Sequence, residues 1–213
     1  RCIRAPRSET RAFNSASTGV AISAAAVGVG ARRSETKSIS VVSVSCPTAL
    51  ISGMGHYYQK VPSVLIKLDV IGGGSVVQYY KQQVQQLKLE NYVVFHGEVQ
   101  NDQLDRFFHC ANIGIGTLGN HRIGLTEHSP LKHREYCSYG LPFILSTYDK
   151  DFHSDLDFVQ YHPSDDSAIS CELLLDFYAK TAKVNSEIQN YAVKNLSWQK
   201  RMTEVMNKVF EKD

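Results

Sequence analysis

Two acids, Glu127 and Glu135, stand eight positions apart in the stretch LTEHSPLKHREYCSYGLP, on either side of Ser129-Pro130. Carboxylates accept hydrogen bonds, and sugar hydroxyls are natural donors to them. Ser129 is a good helix N-cap, and Pro130 suits the first turn, where its missing N–H costs nothing. The spacing predicts a helix from Pro130 to Tyr139 that Gly140 closes. The amides of Leu131 and Lys132 would then face out of the helix N-terminus, where unpaired N–H groups and the positive end of the dipole suit a phosphate. Lys132 adds a mobile positive charge. Glu127 would lie in the loop before the helix and Glu135 in its second turn. A ligand with a diphosphate between them would meet one carboxylate on each side. On spacing alone, a loop acid and a solvated helix acid are the plainer reading.

Other residue types add little chemistry of their own. His128 and His133 are five apart rather than the four of a helical metal-ligand pair, so exposed or capping roles are expected for both. The five cysteines are an odd number, widely spaced and without a C-x-x-C pair. They argue against a disulfide framework or a cysteine zinc site, and for a reducing, cytoplasmic compartment. Gly72, Gly73 and Gly74 follow a strand-like run, but Val76 and Val77 break the G-x-G-x-x-G pattern of a dinucleotide fingerprint.

Elements must position these residues. SISVVSVS (38–45), SVLIKLDVIGGG (63–74), NYVVFHGEV (91–99), NIGIGTL (112–118) and LPFILST (141–147) read as strands, with DFVQYHP (157–163) a weaker one. Between them lie helical segments: ALISGMGHYYQK (49–60), VVQYYKQQVQQLKLE (76–90) and NDQLDRFFHCA (101–111), the last capped by Asn101 or Asp102. The chain from about 165 onward is helical. CELLLDFYAK reads as a core helix, and the apolar stripe 198, 202, 205, 206 and 209 has packing as its default role, an exposed or protein-binding face being the alternative. Alternation at this spacing implies βαβ units and a parallel sheet, hence a Rossmann-like α/β fold over residues 38–213. Residues 1–37, rich in Ala, Ser and Gly, are expected to form an irregular low-complexity leader.

The leader carries a net charge of +5 and the remainder about −3, so the body is not built as a nucleic-acid binder. No run reaches the roughly 18 to 20 apolar residues of a membrane helix.

LDVIGGG, then NYVVFHGEVQNDQLDRFFHCANIGIGTLG, then LTEHSPLKHREYCSYGLPFILS resemble the C-terminal, donor-binding domain of retaining GT-B glycosyltransferases. Bacterial enzymes of capsule, exopolysaccharide and lipopolysaccharide assembly are the nearest group. The likeness covers roughly residues 62–147 well and 38–61 and 148–213 loosely, and the acidic pair matches the family's E-x7-E motif. It implies that Glu127 contacts the donor sugar as the catalytic carboxylate and that Glu135 holds the ribose. Pro130, Leu131 and Lys132 would serve the diphosphate, Gly72 to Gly74 would form the tight turn near the nucleotide, and FHGEV (95–99) would flank the base. Arg122 would reach the pyrophosphate or the sugar, its plainer reading being an exposed loop arginine.

The activity so implied is transfer of a sugar from a UDP- or GDP-linked donor, with retention, to a saccharide or lipid-linked saccharide. No cofactor and no bound metal are implied. An acceptor-binding N-terminal domain, supplied elsewhere or on another chain, would complete the enzyme. The implied location is cytoplasmic, with a peripheral position at the inner membrane as an alternative. One departure stands out: the family has an Arg and a Lys shortly after the first strand, whereas CPTALISGMGHYYQK has none before Lys60. Two charge-assisted phosphate contacts, each worth roughly 1.5 to 3 kcal/mol, would be missing. That departure keeps a second reading alive, a non-catalytic relic that acts through protein contacts. A sugar-nucleotide epimerase is a third, less well supplied with acid/base groups.

Overall fold

Short runs of β-branched and aliphatic residues form the middle of the molecule. The computed structural model describes residues 38–44 and 47–210, so the leader expected over 1–37 lies outside the described residues. The strands are β1 (Ser38–Ser43), β2 (Leu65–Ile71), β3 (Val93–Gly97), β4 (Ile113–Ile115), β5 (Phe143–Leu145) and β6 (Val159–Tyr161). All pair in parallel, in the order β3-β2-β1-β4-β5-β6. That is the doubly wound Rossmann order, which reverses between β1 and β4.

The helices are α1 (Thr48–Tyr57), α2 (Val77–Gln86), α3 (Asn101–Cys110), α4 (Leu131–Ser138), α5 (Cys171–Thr181), α6 (Asn185–Leu196) and α7 (Trp198–Phe210). Because side chains alternate along a strand, β1 feeds two cores. Ile39 and Val41 join one with Leu50, Ile51 and Met54 of α1, Val84 of α2 and Leu174 and Phe177 of α5. Val42 joins the other with Phe108 of α3, Tyr136 and Cys137 of α4 and Ile188 and Ala192 of α6. The expected Rossmann-like α/β sandwich is therefore present, with both faces of the sheet covered by helices.

Gly53 marks one tight seam. A Cβ at that position would lie 1.8 Å from the carbonyl oxygen of Ile169, so α1 sits against the chain entering α5 only because the residue is glycine. The buried thiols of Cys137 and Cys171 are both pushed up to about 12 by burial, which makes them inert packing groups.

Two default readings are corrected here, and one element not anticipated is present. The position before α3 is Gln100, with no side-chain cap, rather than Asn101 or Asp102. A single-turn 3-10 helix, Asn120–Ile123, stands in the segment before Glu127. The apolar stripe of α7 is not packed: none of its residues is buried, and Trp198 is 83% exposed. CELLLDFYAK is a core helix as expected, with Cys171, Leu174 and Phe177 buried.

Candidate functional site

In open parallel sheets the ligand crevice lies at the carboxyl ends of the strands, beside the point where the order reverses. The glycine turn follows β2 and the segment leading to α4 follows β4, so the two flank β1 at that edge. Gly72 and Gly74 have φ of +113° and +111°, a backbone that side chains rarely adopt, and the Gly72 N–H donates to the Gly97 carbonyl at 2.7 Å. Gly73 faces Glu98, whose carboxylate oxygen would be 2.8 Å from any added Cβ.

On the β4 side the chain leaves Ile115, makes the 3-10 turn and runs to Glu127. Buried Asn120 holds this stretch: its carbonyl accepts the Leu125 N–H at 3.1 Å, and its amide lies 3.0 Å from His128 Nδ1. Glu127 then forms an isolated parallel bridge with Tyr148, secured by the His128 N–H on the Tyr148 carbonyl at 2.9 Å. The loop acid is exposed but its backbone is fixed.

The helix N-terminus differs in one respect from the expectation. Pro130, in extended conformation at ψ 150°, occupies the N-cap position, and Ser129 makes no cap. Its hydroxyl instead donates to Asp149 at 3.1 Å. Leu131 and Lys132 are the first helical residues, as the phosphate reading requires, and Leu131 is exposed. At the other end Gly140 closes α4 with φ of +69°.

Asp149 is the center of a buried polar cluster that sequence reasoning missed. It is 0% exposed and accepts hydrogen bonds from Ser129, from His133 Nδ1 at 2.9 Å and from both terminal nitrogens of Arg134 at 2.6 and 2.8 Å. Arg134 also pairs with Asp151, which pairs in turn with Arg201 of α7. Burial would raise the Asp149 carboxyl, but the hydrogen bonds from His133 and Arg134 outweigh it and hold the group well below the usual carboxylate range. His133 is fully buried, not the exposed or capping residue expected. Its desolvation outweighs the pull of Asp149 and lowers its pKa, so the ring is neutral at physiological pH. No spacing rule reveals this cluster, because His133-Arg134 and Asp149-Lys150-Asp151 belong to different elements and meet only in the fold.

Glu135 stands apart from it. The carboxyl is half-buried in the second turn of α4, and burial raises its pKa. Among the described residues no hydrogen bond or ion pair to that carboxylate is present. Arg122, by contrast, is committed to Asp166, with Nε and a terminal nitrogen 2.8 and 2.6 Å from one carboxylate oxygen. Glu127, Pro130, Leu131 and Lys132 thus lie just before or at the N-terminus of α4 and Glu135 in its second turn, while Arg122 pairs with Asp166. Two buried hydroxyls near this edge, Thr117 Oγ1 and Thr147 Oγ1, have no protein partner. No cluster of three or more metal-capable side chains occurs among the described residues.

A family model described as "Glycosyl transferases group 1" matches residues 58–150. No curated protein matches by sequence. Several solved structures share the fold. A sucrose-phosphate synthase from Thermosynechococcus elongatus is 15% identical over 82% of this chain and 46% of its own, with a TM-score of 0.59. HepE from Anabaena, solved with UDP and glucose, is 17% identical over 81% and 49%, with a TM-score of 0.59. A glycosyltransferase from Rickettsia africae is 11% identical over 82% and 48%, with a TM-score of 0.60. The chain therefore spans about half the length of these structures.

Proposed function

We propose that this chain is the nucleotide-sugar-binding half of a glycosyltransferase. The N-terminus of α4, with Pro130, Leu131 and Lys132, takes the diphosphate; Glu135 accepts the ribose hydroxyls; Glu127 accepts hydroxyls of the donor sugar. Gly72 to Gly74 leave room for the nucleotide at the end of β2. The main chemical task is to stabilise the departing nucleoside diphosphate, which a helix end and a lysine do electrostatically. The reading includes transfer with retention to a saccharide or lipid-linked acceptor, held by a further domain, and uses no protein nucleophile and no bound metal. A UDP-linked donor is the first choice, since the similar HepE structure holds UDP and glucose.

The observation that carries this reading is Glu135. A half-buried carboxylate with a raised pKa and no partner among the described residues costs stability, and such costs concentrate at binding sites. A second reading, a fold kept without catalysis, is favoured by one observation: no Lys or Arg occurs between Val44 and Lys60, where a diphosphate would be met from the β1 side.

Calorimetric titration with UDP, GDP and their common sugar conjugates separates the two. Saturable binding that Glu135→Ala weakens by about ten-fold or more, as expected for losing a charge-assisted hydrogen bond of roughly 1.5 to 3 kcal/mol, supports the donor site. No heat at about millimolar ligand, with the chain shown to be folded, overturns it in favour of the second reading.

A further inference from the structure

A separate concavity lies on the β5–β6 side of Glu127. Its volume is about 420 Å³, within the range of small-molecule sites and enough for a sugar ring with its hydroxyls. Neither the glycine turn nor α4 lines it.

Its walls divide into two kinds. Ser146 and Tyr161 turn their polar atoms into the fold. The Ser146 hydroxyl lies 3.2 and 3.0 Å from the Thr117 and Leu118 carbonyls, and the Tyr161 hydroxyl donates to the Phe152 carbonyl at 2.7 Å. Tyr161 thereby offers its ring as an apolar wall. The side chains of Thr126, Tyr148, His153, Ser154 and Ser164 make no hydrogen bond or ion pair among the described residues. Among the described residues, five polar groups without internal partners thus line one open pocket to which no Lys, Arg, Asp or Glu contributes. Hydroxyls and an imidazole both donate and accept, while tyrosine rings cover apolar surface. That combination fits a neutral polyhydroxylated ring rather than a phosphate or a charged peptide.

We infer that this pocket binds a neutral saccharide, the end of the sugar chain that receives the transferred unit. The assignment to the receiving chain rests on the proposed function. Thr126 directly precedes Glu127, and Tyr148 is bridged to Glu127 through the backbone, so the pocket adjoins the backbone of the residue whose carboxylate is assigned to the donor sugar. The donor-binding chain then contributes contacts to both sugars.

The test is saturation-transfer NMR of the full chain with the methyl glycosides of glucose, galactose and N-acetylglucosamine and with maltose. Each is measured alone, with UDP and with UDP-glucose. At least one saccharide is expected to bind saturably and to remain bound when UDP is added. Tyr148→Ala should weaken it by about ten-fold or more, as for the loss of one or two well-placed contacts. Ser164→Tyr, a pocket-filling change at an exposed position, should do the same and leave UDP affinity unchanged. Absence of saturation by all four saccharides overturns the pocket, as does displacement by UDP-glucose but not by UDP, which would make it the donor-sugar site. Saccharide binding without UDP binding supports the pocket and refutes the nucleotide reading instead.

Discussion

His133 Nδ1 lies 2.9 Å from Asp149 Oδ2 with both side chains fully buried, while Nε2 of the same ring accepts the Thr117 backbone N–H at 3.2 Å. Only the neutral tautomer protonated at Nδ1 satisfies both contacts. One imidazole therefore ties α4 to the chain leaving β4 and to the segment beyond β5. The helix end proposed to hold a diphosphate is positioned by buried side chains bonded to one another, which is how a rigid site is supported.

Replacing Asp149 by Asn should be among the most destabilising single changes in the domain. Asn keeps only one of the two acceptor oxygens, so Arg134 would lose its bidentate partner and either His133 or Ser129 its acceptor, and breaking a buried pair costs about 3–5 kcal/mol. Denaturant unfolding checks this. A loss comparable with that of an ordinary surface substitution would mean that the cluster is not a structural keystone.

Acid should weaken the fold in two stages. His133 has a native pKa below its usual value of about 6.5, so between the two values the unfolded chain binds a proton that the native chain does not. Stability then rises with pH in that window, and is lost as pH falls below about 6.5. The depressed Asp149 carboxyl contributes stability above its ordinary value of about 3.9, lost as pH falls through that range. The denaturant midpoint as a function of pH, with the His133 ring followed by NMR, tests both. An imidazole found protonated at neutral pH would contradict the first stage.

Glu135→Gln should stabilise the chain at neutral pH while weakening UDP binding. The native pKa of Glu135 is raised by burial, so its ionised form is a cost that is fully present above the native pKa. The gain should vanish below the carboxylate range, where the side chain is neutral in both states. Thermal midpoints at neutral pH and at about pH 3 give the comparison. A lower midpoint for the variant at neutral pH would show that the carboxylate has a structural partner.

Gly53→Ala tests the seam between α1 and the entry to α5. The added methyl would fall 1.8 Å from the Ile169 carbonyl oxygen, a backbone atom that cannot rotate aside. Overpacking of this kind costs about 1–3 kcal/mol or more. The melting temperature should fall by several degrees, with UDP affinity in the surviving folded fraction little changed.

Much of the scaffold could be read from the chain because it depends on local rules. Val41 and Val42 alternate between two cores, Gly140 ends α4 in the left-handed region, and Gly72 and Gly74 turn the chain after β2. The helix that carries Glu135 in its second turn was legible for the same reason. What failed depended on partners distant in sequence. Ser129 has the chemistry of a cap, but Asp149 takes its hydroxyl. His133 looks solvated until residues 117 and 149 arrive on either side of it. Arg122 is an exposed arginine, as its plainer reading had it, and its pairing with Asp166, 44 residues on, is one that no spacing rule reveals. The α7 stripe has the period of a packed face, yet none of its residues is covered among the described residues.

The pairing of β1 with β4 has a further consequence, in time rather than in space. Ser40 bonds to the side chain of Asn112 across a separation of 72 residues, and nothing at the crevice exists until that distance is closed. Such a long-range contact loses chain entropy before any contact is gained, so the two halves of the sheet should form before they join. A nucleotide laid across the join would bind only the completed domain and would therefore stabilise the whole fold by mass action, not one half of it. Refolding would then be reported by ligand binding as its last event.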